Sequence, residues 1–493
     1  MTRSDLRPAG RCDRIDPSET SMPRGHLLLV LHAHLPFIRH PDNDDFLEED
    51  WLFEAITETY IPLLHNLQQA MEAGVQPRLT MTWSPPLCEM LADPLLQDRY
   101  RRHVSRLLEL AEQEVPAKAG TPFAEAAVMY RDHYRFCLTT LDRYDDNLLG
   151  WVRHLMNAGV LEPITCGATH GFLPLMRHRE AQRAQIAVAV ENYRKHFGRP
   201  PRGIWLPECG FAPGIDELLR EQDIRFFFVE THGIYFGEPR PRFGVYRPIY
   251  TPAGVAAFGR DPESSRSVWS AESGYPGNPV YREFYRDLGY DGDYDYVRNF
   301  LHGDGIRRNL GLKYHRVTGK VALHEKEPYS PRQAYHQAME DAGNFVYNRM
   351  QQVRFLGDLL ETEPVLVAPY DAELFGHWWF EGPQFIQSIF HTLHQAPEMD
   401  AVTASGYLED CSVHQICMPS ASSWGDNGYN GVWLNPGNDW IYRHLHMAEE
   451  RMIDCARRFP EADGDLRRAL NQMARELLLM QSSDWAFIMT TQT

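Results

Sequence analysis

Residues 365–383 read VLVAPYDAELFGHWWFEGP, and this stretch decides the fold. The apolar run that opens it has the length and branching of a buried strand. Two acids, a histidine and two adjacent tryptophans then follow within a dozen positions. A buried strand that runs straight into a crowd of polar and aromatic groups is the pattern of β/α units, where chemistry sits at the passage from strand to loop.

Outward from there the pattern repeats. HLLLVLHAH, RLTMTWS, LEPITCGATH, GIWLPE, RFFFVET and VAAFGRD read as six more strands. Amphipathic helices such as FEAITETYIPLLHNLQQAMEAG and REAQRAQIAVAVENYRKHFG lie between them. This alternation predicts parallel β/α units and an α/β fold, a barrel followed by helices from about Trp440. The segment near 98–159 reads as almost wholly helical, an insertion packed beside the sheet. Residues with catalytic chemistry recur at the strand ends: His32 and His34, Trp83, His170, Glu208, Glu230, Arg260 with Asp261, and Asp371. A purely structural barrel would not repeat them so regularly.

Composition narrows the partners. A hydrophobic share of 43% and a charged share of 24% over 493 residues are ordinary globular values with room for a large core. A formal charge of −18 argues against nucleic acid, whose phosphates need a basic surface. Eight cysteines are scattered without a CxxC spacing, which suits free thiols in a reducing cytoplasm. The N-terminal apolar run at 27–31 is too short for a signal sequence or a membrane span, so no membrane partner is expected. Residues 1–24 are polar and read as a disordered extension, with Met22 an alternative start.

Two carboxylates stand out. In GIWLPECGFAPGIDELL, Pro207 ends backbone donation and Glu208 follows at the strand's rim, between Pro and a small Cys-Gly pair, an odd place for a solvated charge. A rim glutamate paired with an arginine is the plain alternative. Asp371 is the second, with Glu373 two residues on. Two carboxylates from different strands of one barrel are the minimum equipment of a glycoside hydrolase. Trp269, Trp378, Trp379, Trp424 and Trp433 add to the case, since indole covers the flat C–H face of a sugar, and Trp424 and Trp433 lie among Gly, Asn and Asp. LHAHLPF and GATHGFLP bring His32, His34 and His170 together in pattern. HxH on a strand presents both imidazoles on one face, which serves a metal or a sugar equally well, with Asp42, Asp44 and Asp45 as candidate further ligands.

In this order, HAHLPF, THGFLP, WLPECGF and YDAELFGHWWFEG resemble glycoside hydrolase family 57 from about Gly25 onward. AELFGHWW and SSWGDNGYNGVWLNP are similar to the forms in its 1,4-α-glucan branching enzymes. The resemblance implies an incomplete (β/α)₇ barrel over 25–415 and a mostly helical C-terminal domain over 416–493 that lends Trp to the site. It implies no metal and no cofactor, with α-1,4-glucan as both donor and acceptor in glycogen synthesis. Glu208 would be the nucleophile and Asp371 the general acid/base of a retaining transfer to a 6-hydroxyl. His32, His34, His170, Arg260, Trp269, Trp378, Trp424 and Trp433 would contact sugar. Branching members carry a loop tyrosine over the site, for which Tyr235, Tyr246 and Tyr250 are the candidates, Tyr235 first. An α-1,4-glucan hydrolase is the alternative within the family. A metal-dependent polysaccharide deacetylase and a non-catalytic glucan-binding protein are the alternatives outside that chemistry.

Overall fold

The computed structural model describes residues 25–270 and 273–492, so the expected extension over 1–24 lies outside the described residues. Nine strands are found among them: β1 (Gly25–Ala33), β2 (Leu79–Trp83), β3 (Leu161–Ile164), β4 (Gly203–Ile204), β5 (Phe226–Val229), β6 (Ile249–Tyr250), β7 (Ala256–Gly259), β8 (Val365–Asp371) and β9 (Met399–Ala401). β3, β2, β1 and β8 form one parallel sheet, with β9 also parallel to β1. β4, β5, β7 and β6 form a second, in which β6 alone runs antiparallel.

Two seams join the sheets. At one, the Thr165 amide donates to Gly203 O (3.2 Å) and the Trp205 amide donates back to Thr165 O (2.9 Å). At the other, the Asp261 amide donates to Val367 O (2.8 Å). The parallel strands therefore follow one another as β1, β2, β3, β4, β5, β7, β8 and return to β1. The seven strands predicted from sequence are these seven. β6 and β9 were not predicted, being two and three residues long.

Alternation along β1 explains why it is apolar throughout. Leu27, Leu29 and Leu31 pack outward among helices, whereas Leu28 and Val30 face inward against Trp205, Phe226, Phe228 and Val367. A strand covered on both faces reads as continuous hydrophobicity, and each such side chain contributes about 1.5–3 kcal/mol on burial. Pairing of β1 with β8 sets His32 beside Asp371 in register, which brings the first and last sequence motifs together. Close packing also fixes Gly203, where a Cβ would come within 2.1 Å of the Phe226 ring.

The helical reading of 98–159 corresponds to three helices, Pro94–Ala117, Ala124–Tyr144 and Leu148–Asn157. The first starts earlier than expected because Asp93 caps it, accepting from the amides of Leu95 (2.8 Å) and Leu96 (3.4 Å). Residues 273–330 are built from short turns, with no strand and no helix longer than four residues. Polar anchors hold this segment. Asp287 accepts from the amides of Gly289, Leu310 and Gly311, and the buried Arg282 guanidinium grips Glu58 at 2.5 and 3.1 Å. Helices Trp440–Arg458, Gly464–Met480 and Ser483–Thr491 close the chain. The last docks back onto the strand ends, where the Ser483 amide donates to His170 O (2.9 Å). Among the described residues no helix is long and apolar enough to cross a membrane.

Candidate active site

Glu208 sits just beyond the two-residue strand β4, in a tight turn started by Pro207. Its backbone (φ 61°, ψ 24°) and that of Cys209 (φ 51°) occupy the left-handed region. Side-chain-bearing residues reach it at a cost of about 1–3 kcal/mol each. Three bonds hold the turn: Cys209 N to Leu206 O (2.8 Å), Gly210 N to Pro207 O (2.9 Å) and Trp424 N to Glu208 O (3.0 Å). The turn delivers a carboxylate to two donors. Trp424 Nε1 donates to Oε2 at 2.8 Å, and the Ser483 hydroxyl donates to Oε1 at 2.9 Å. Burial raises the pKa of Glu208, and these two donors oppose the rise.

The imidazoles behind it form a directed chain. An ionised Glu208 only accepts, so the Ser483 proton points to it, and the Ser483 oxygen is left to accept from His170 Nδ1 at 2.8 Å. His170 Nε2 is then an acceptor, which makes His32 Nε2, 2.9 Å away, the donor. The remaining His32 Nδ1 is buried without a hydrogen-bond partner. Burial drives the pKa of both His32 and His170 well below the usual value, in keeping with neutral rings. His32 lies 5.0 Å from Trp205, ring over ring.

His34 stacks on His170 with centroids 3.8 Å apart and planes at 8°, and its Nε2 meets Asp484 Oδ1 at 3.2 Å. Burial would raise the Asp484 carboxyl, but His34, by its charge and its hydrogen bond, brings it down to about 2. His34, His170 and Asp484 together offer ligand-type atoms within 4.8 Å of one another. Parallel imidazoles nevertheless aim their in-plane lone pairs side by side, whereas a tetrahedral metal needs them to converge. Asp42, Asp44 and Asp45 are not in this group; Asp44 and Asp45 face Arg99 and Arg106 instead.

Asp371 closes β8 and is half-buried, and its pKa stands well above the usual carboxylate value. Burial is the main cause, repulsion from Glu373 and Glu208 adds to it, and Arg260 opposes. Glu373 accepts from Tyr60 OH (2.5 Å) and from the His34 amide (3.2 Å), and burial pushes it up to about 7. Arg260 donates to Glu230 at 2.9 Å and lies 5.9 Å from the Trp424 ring centroid.

Most of these groups line one cavity of about 810 Å³. Ten residues to which the family resemblance gave a role meet in it: Glu208, Asp371, His32, His34, His170, Arg260, Trp269, Trp378, Trp424 and Trp433. Trp269 and Trp378 are 39% and 53% exposed, which leaves each an open face. Trp433 differs, being 1% exposed and stacked on Phe172 at 4.7 Å. Tyr235 does not line the cavity, and its ring packs beside Gly244.

Residues 28–419 match the domain described as glycosyl hydrolase family 57. The chain belongs to glycosyl hydrolase family 57. Within this family 57 chain, residues 444–493 match the region described as 1,4-alpha-glucan branching enzyme, C-terminal. A 1,4-alpha-glucan branching enzyme of Thermococcus kodakarensis is 36% identical, over 95% of this chain and 70% of its own. The crystal structure of the alpha-amylase AmyC from Thermotoga maritima superposes with a TM-score of 0.90 at 48% identity, over 95% of this chain and 89% of that one. The family 57 branching enzyme of Pyrococcus horikoshii superposes with a TM-score of 0.85 at 34% identity, over 95% and 86%.

Ser483 and Asp484, which touch Glu208 and His34, are among the cavity's neighbours that sequence reasoning missed. They lie on the final helix, 275 positions from Glu208 and 450 from His34. Ser483→Ala is expected to lower kcat on amylose by about ten- to a hundredfold with KM little changed, because it removes a donor from Glu208 and not a sugar contact. Initial rates across a range of amylose concentrations check this, and an unchanged kcat would remove Ser483 from that role.

Proposed function

We propose that this family 57 enzyme is a retaining 1,4-α-glucan branching enzyme, with Glu208 as nucleophile and Asp371 as general acid/base. The observation that carries the reading is the contrast between the two carboxyls of one cavity. Glu208 receives two hydrogen-bond donors that favour its charged form, while burial and two neighbouring acids favour the proton on Asp371. Burial raises both carboxyls, but among the described residues hydrogen-bond donors oppose the rise only at Glu208, and two carboxyls whose surroundings part their protonation in this way divide the labour of a glycosidase.

In the first step Glu208 attacks the anomeric carbon while Asp371 donates its proton to the departing glycosidic oxygen. A covalent glycosyl-enzyme results, and Asp371 is left ionised. Asp371 then takes the proton of an acceptor's 6-hydroxyl, whose oxygen attacks the same carbon and expels Glu208, giving an α-1,6 branch. The open faces of Trp269 and Trp378 suit stacking against glucose rings. His32, His34, His170, Arg260, Trp424 and Trp433 serve the same site, Trp424 through Glu208 and Trp433 by packing the wall. The return of the parallel strands to β1 supports an incomplete (β/α)₇ barrel as the catalytic unit over 25–415, with 416–493 as the C-terminal domain. Free thiols at all seven described cysteines fit a reducing cytoplasm, and the branching reading fits a place in glycogen synthesis. Tyr235 as a loop residue over the cavity would need that segment to move.

The similarity to the Thermotoga alpha-amylase favours a second reading, α-1,4-glucan hydrolysis, in which water replaces the 6-hydroxyl. Incubation with amylose separates the two. Branching is expected to create α-1,6 linkages without a matching rise in reducing ends. Reducing ends alone, without α-1,6 linkages, would establish the hydrolytic reading in its place.

A further inference from the structure

The cavity carries a further polar group that the two-step chemistry leaves unused. The helix Leu47–Ala55 presents Trp51 and Glu54, three positions apart and so on one face, to the cavity wall. The loop after Asp371 brings His377 and Trp378 to the same cavity, His377 beside Glu54. Glu54 Oε2 lies 3.5 Å from His377 Nδ1, and Glu54 accepts no hydrogen bond among the described residues. The neighbouring carboxylate behaves differently. Glu58, one helical turn on, is taken up by Arg282 at 2.5 and 3.1 Å, so that guanidinium is not shared with Glu54.

The aromatic wall beside Glu54 is equally particular. Trp378 stacks one face on Phe284, with centroids 4.5 Å apart and planes at 19°. Phe284 is backed in turn by Lys313 Nζ, 4.2 Å from its ring centroid. With one face covered and 53% of its surface still exposed, Trp378 holds its other face open. An open indole face beside a carboxylate with free acceptor positions matches what a pyranose presents, a flat C–H face and vicinal hydroxyls on its rim.

We propose that Glu54, Trp378 and Trp51 form a glucosyl subsite on the Asp371 side of the cavity, in which Glu54 accepts hydrogen bonds from two neighbouring hydroxyls of a glucose unit lying against Trp378. Because Trp378 follows Asp371 on one loop, the unit bound there belongs to the leaving or accepting chain, whose oxygen Asp371 serves. Burial, with Glu58 adding to it, pushes Glu54 up to about 7 against the pull of His377 and Lys313, so two sugar hydroxyls would relieve a poorly solvated carboxylate. The subsite rests on the α-glucan reading of the cavity.

The test measures maltoheptaose binding by titration calorimetry in the full chain carrying Glu208→Gln, so that the ligand is not consumed. Adding Glu54→Ala is expected to weaken the Kd by about tenfold or more. Adding Glu54→Gln, which keeps one acceptor oxygen, is expected to weaken it by about threefold. Affinity unchanged in both double variants would overturn the subsite while leaving the α-glucan reading in place. If the Glu208→Gln protein itself binds no maltoheptaose, both fall. Should Glu54→Ala not fold, the Gln variant decides by the same criterion.

Discussion

Glu208→Gln is expected to lower turnover of amylose by about 10⁴–10⁶-fold, because no other group takes over attack on the anomeric carbon. The substitution is nearly isosteric. Its amide oxygen still accepts from one of the two donors, Trp424 Nε1 or the Ser483 hydroxyl, so the left-handed turn and the cavity wall are retained. The loss should therefore fall on kcat and not on glucan affinity. Intact-mass spectra taken during turnover provide the check, since a glycosyl adduct is expected on the parent and absent from the variant. A variant within tenfold of the parent rate would remove Glu208 from the nucleophile's role.

Asp371→Asn is expected to cost about 10³–10⁴-fold on amylose and far less on an α-glucosyl fluoride, whose leaving group departs without a proton. That dependence on the leaving group distinguishes a lost acid from a damaged pocket, which would slow both substrates alike. The same substitution carries a stability signature of opposite sign. The folded-state pKa of Asp371 lies well above the ordinary value near 3.8. Between those two values the folded protein holds a proton that the unfolded chain has released. Asp371 therefore lowers stability as pH rises through that window, and asparagine escapes the penalty. The variant is expected to melt above the parent at about pH 8, with the advantage shrinking toward about pH 4. Parallel thermal melts at the two pH values read it directly, and equal melting at both would mean that Asp371 is not held protonated.

The strands were legible because each is covered on both faces and so appears as an unbroken apolar run, as in LLLVL of β1 and VLVA of β8. The strand-end acids and histidines were legible because polar groups straight after such runs have few structural reasons to be there. What stayed hidden has particular causes. Ser483 and Asp484 look like ordinary helix-capping residues, and only the docking of the last helix beside His170 turns them toward the site. Glu373 reads as a continuation of β8, yet the strand stops at Asp371 and Glu373 turns to Tyr60, 313 positions away. Trp433 sits in a Gly- and Asn-rich stretch that promised an exposed platform, and it packs on Phe172 instead. The segment 273–330 has no periodicity to read, since buried polar anchors such as Asp287 organise it in place of a repeating apolar face. Glu54 was overlooked within an evidently amphipathic helix, where a carboxylate on the margin of the apolar stripe attracts no notice.

The hydroxyl that steadies Glu208 has a consequence in time as well as in space. Glu208, Asp371, all three imidazoles and Trp424 precede Ser483 and Asp484 in the chain and are synthesised before them. A nascent chain can thus lay down its parallel strands and even enclose a cavity while the nucleophile has only one of its two donors. Full competence arrives when the final helix docks. Glucan turnover during refolding should then lag behind the appearance of secondary structure, which makes catalysis itself the clock for the last step of assembly.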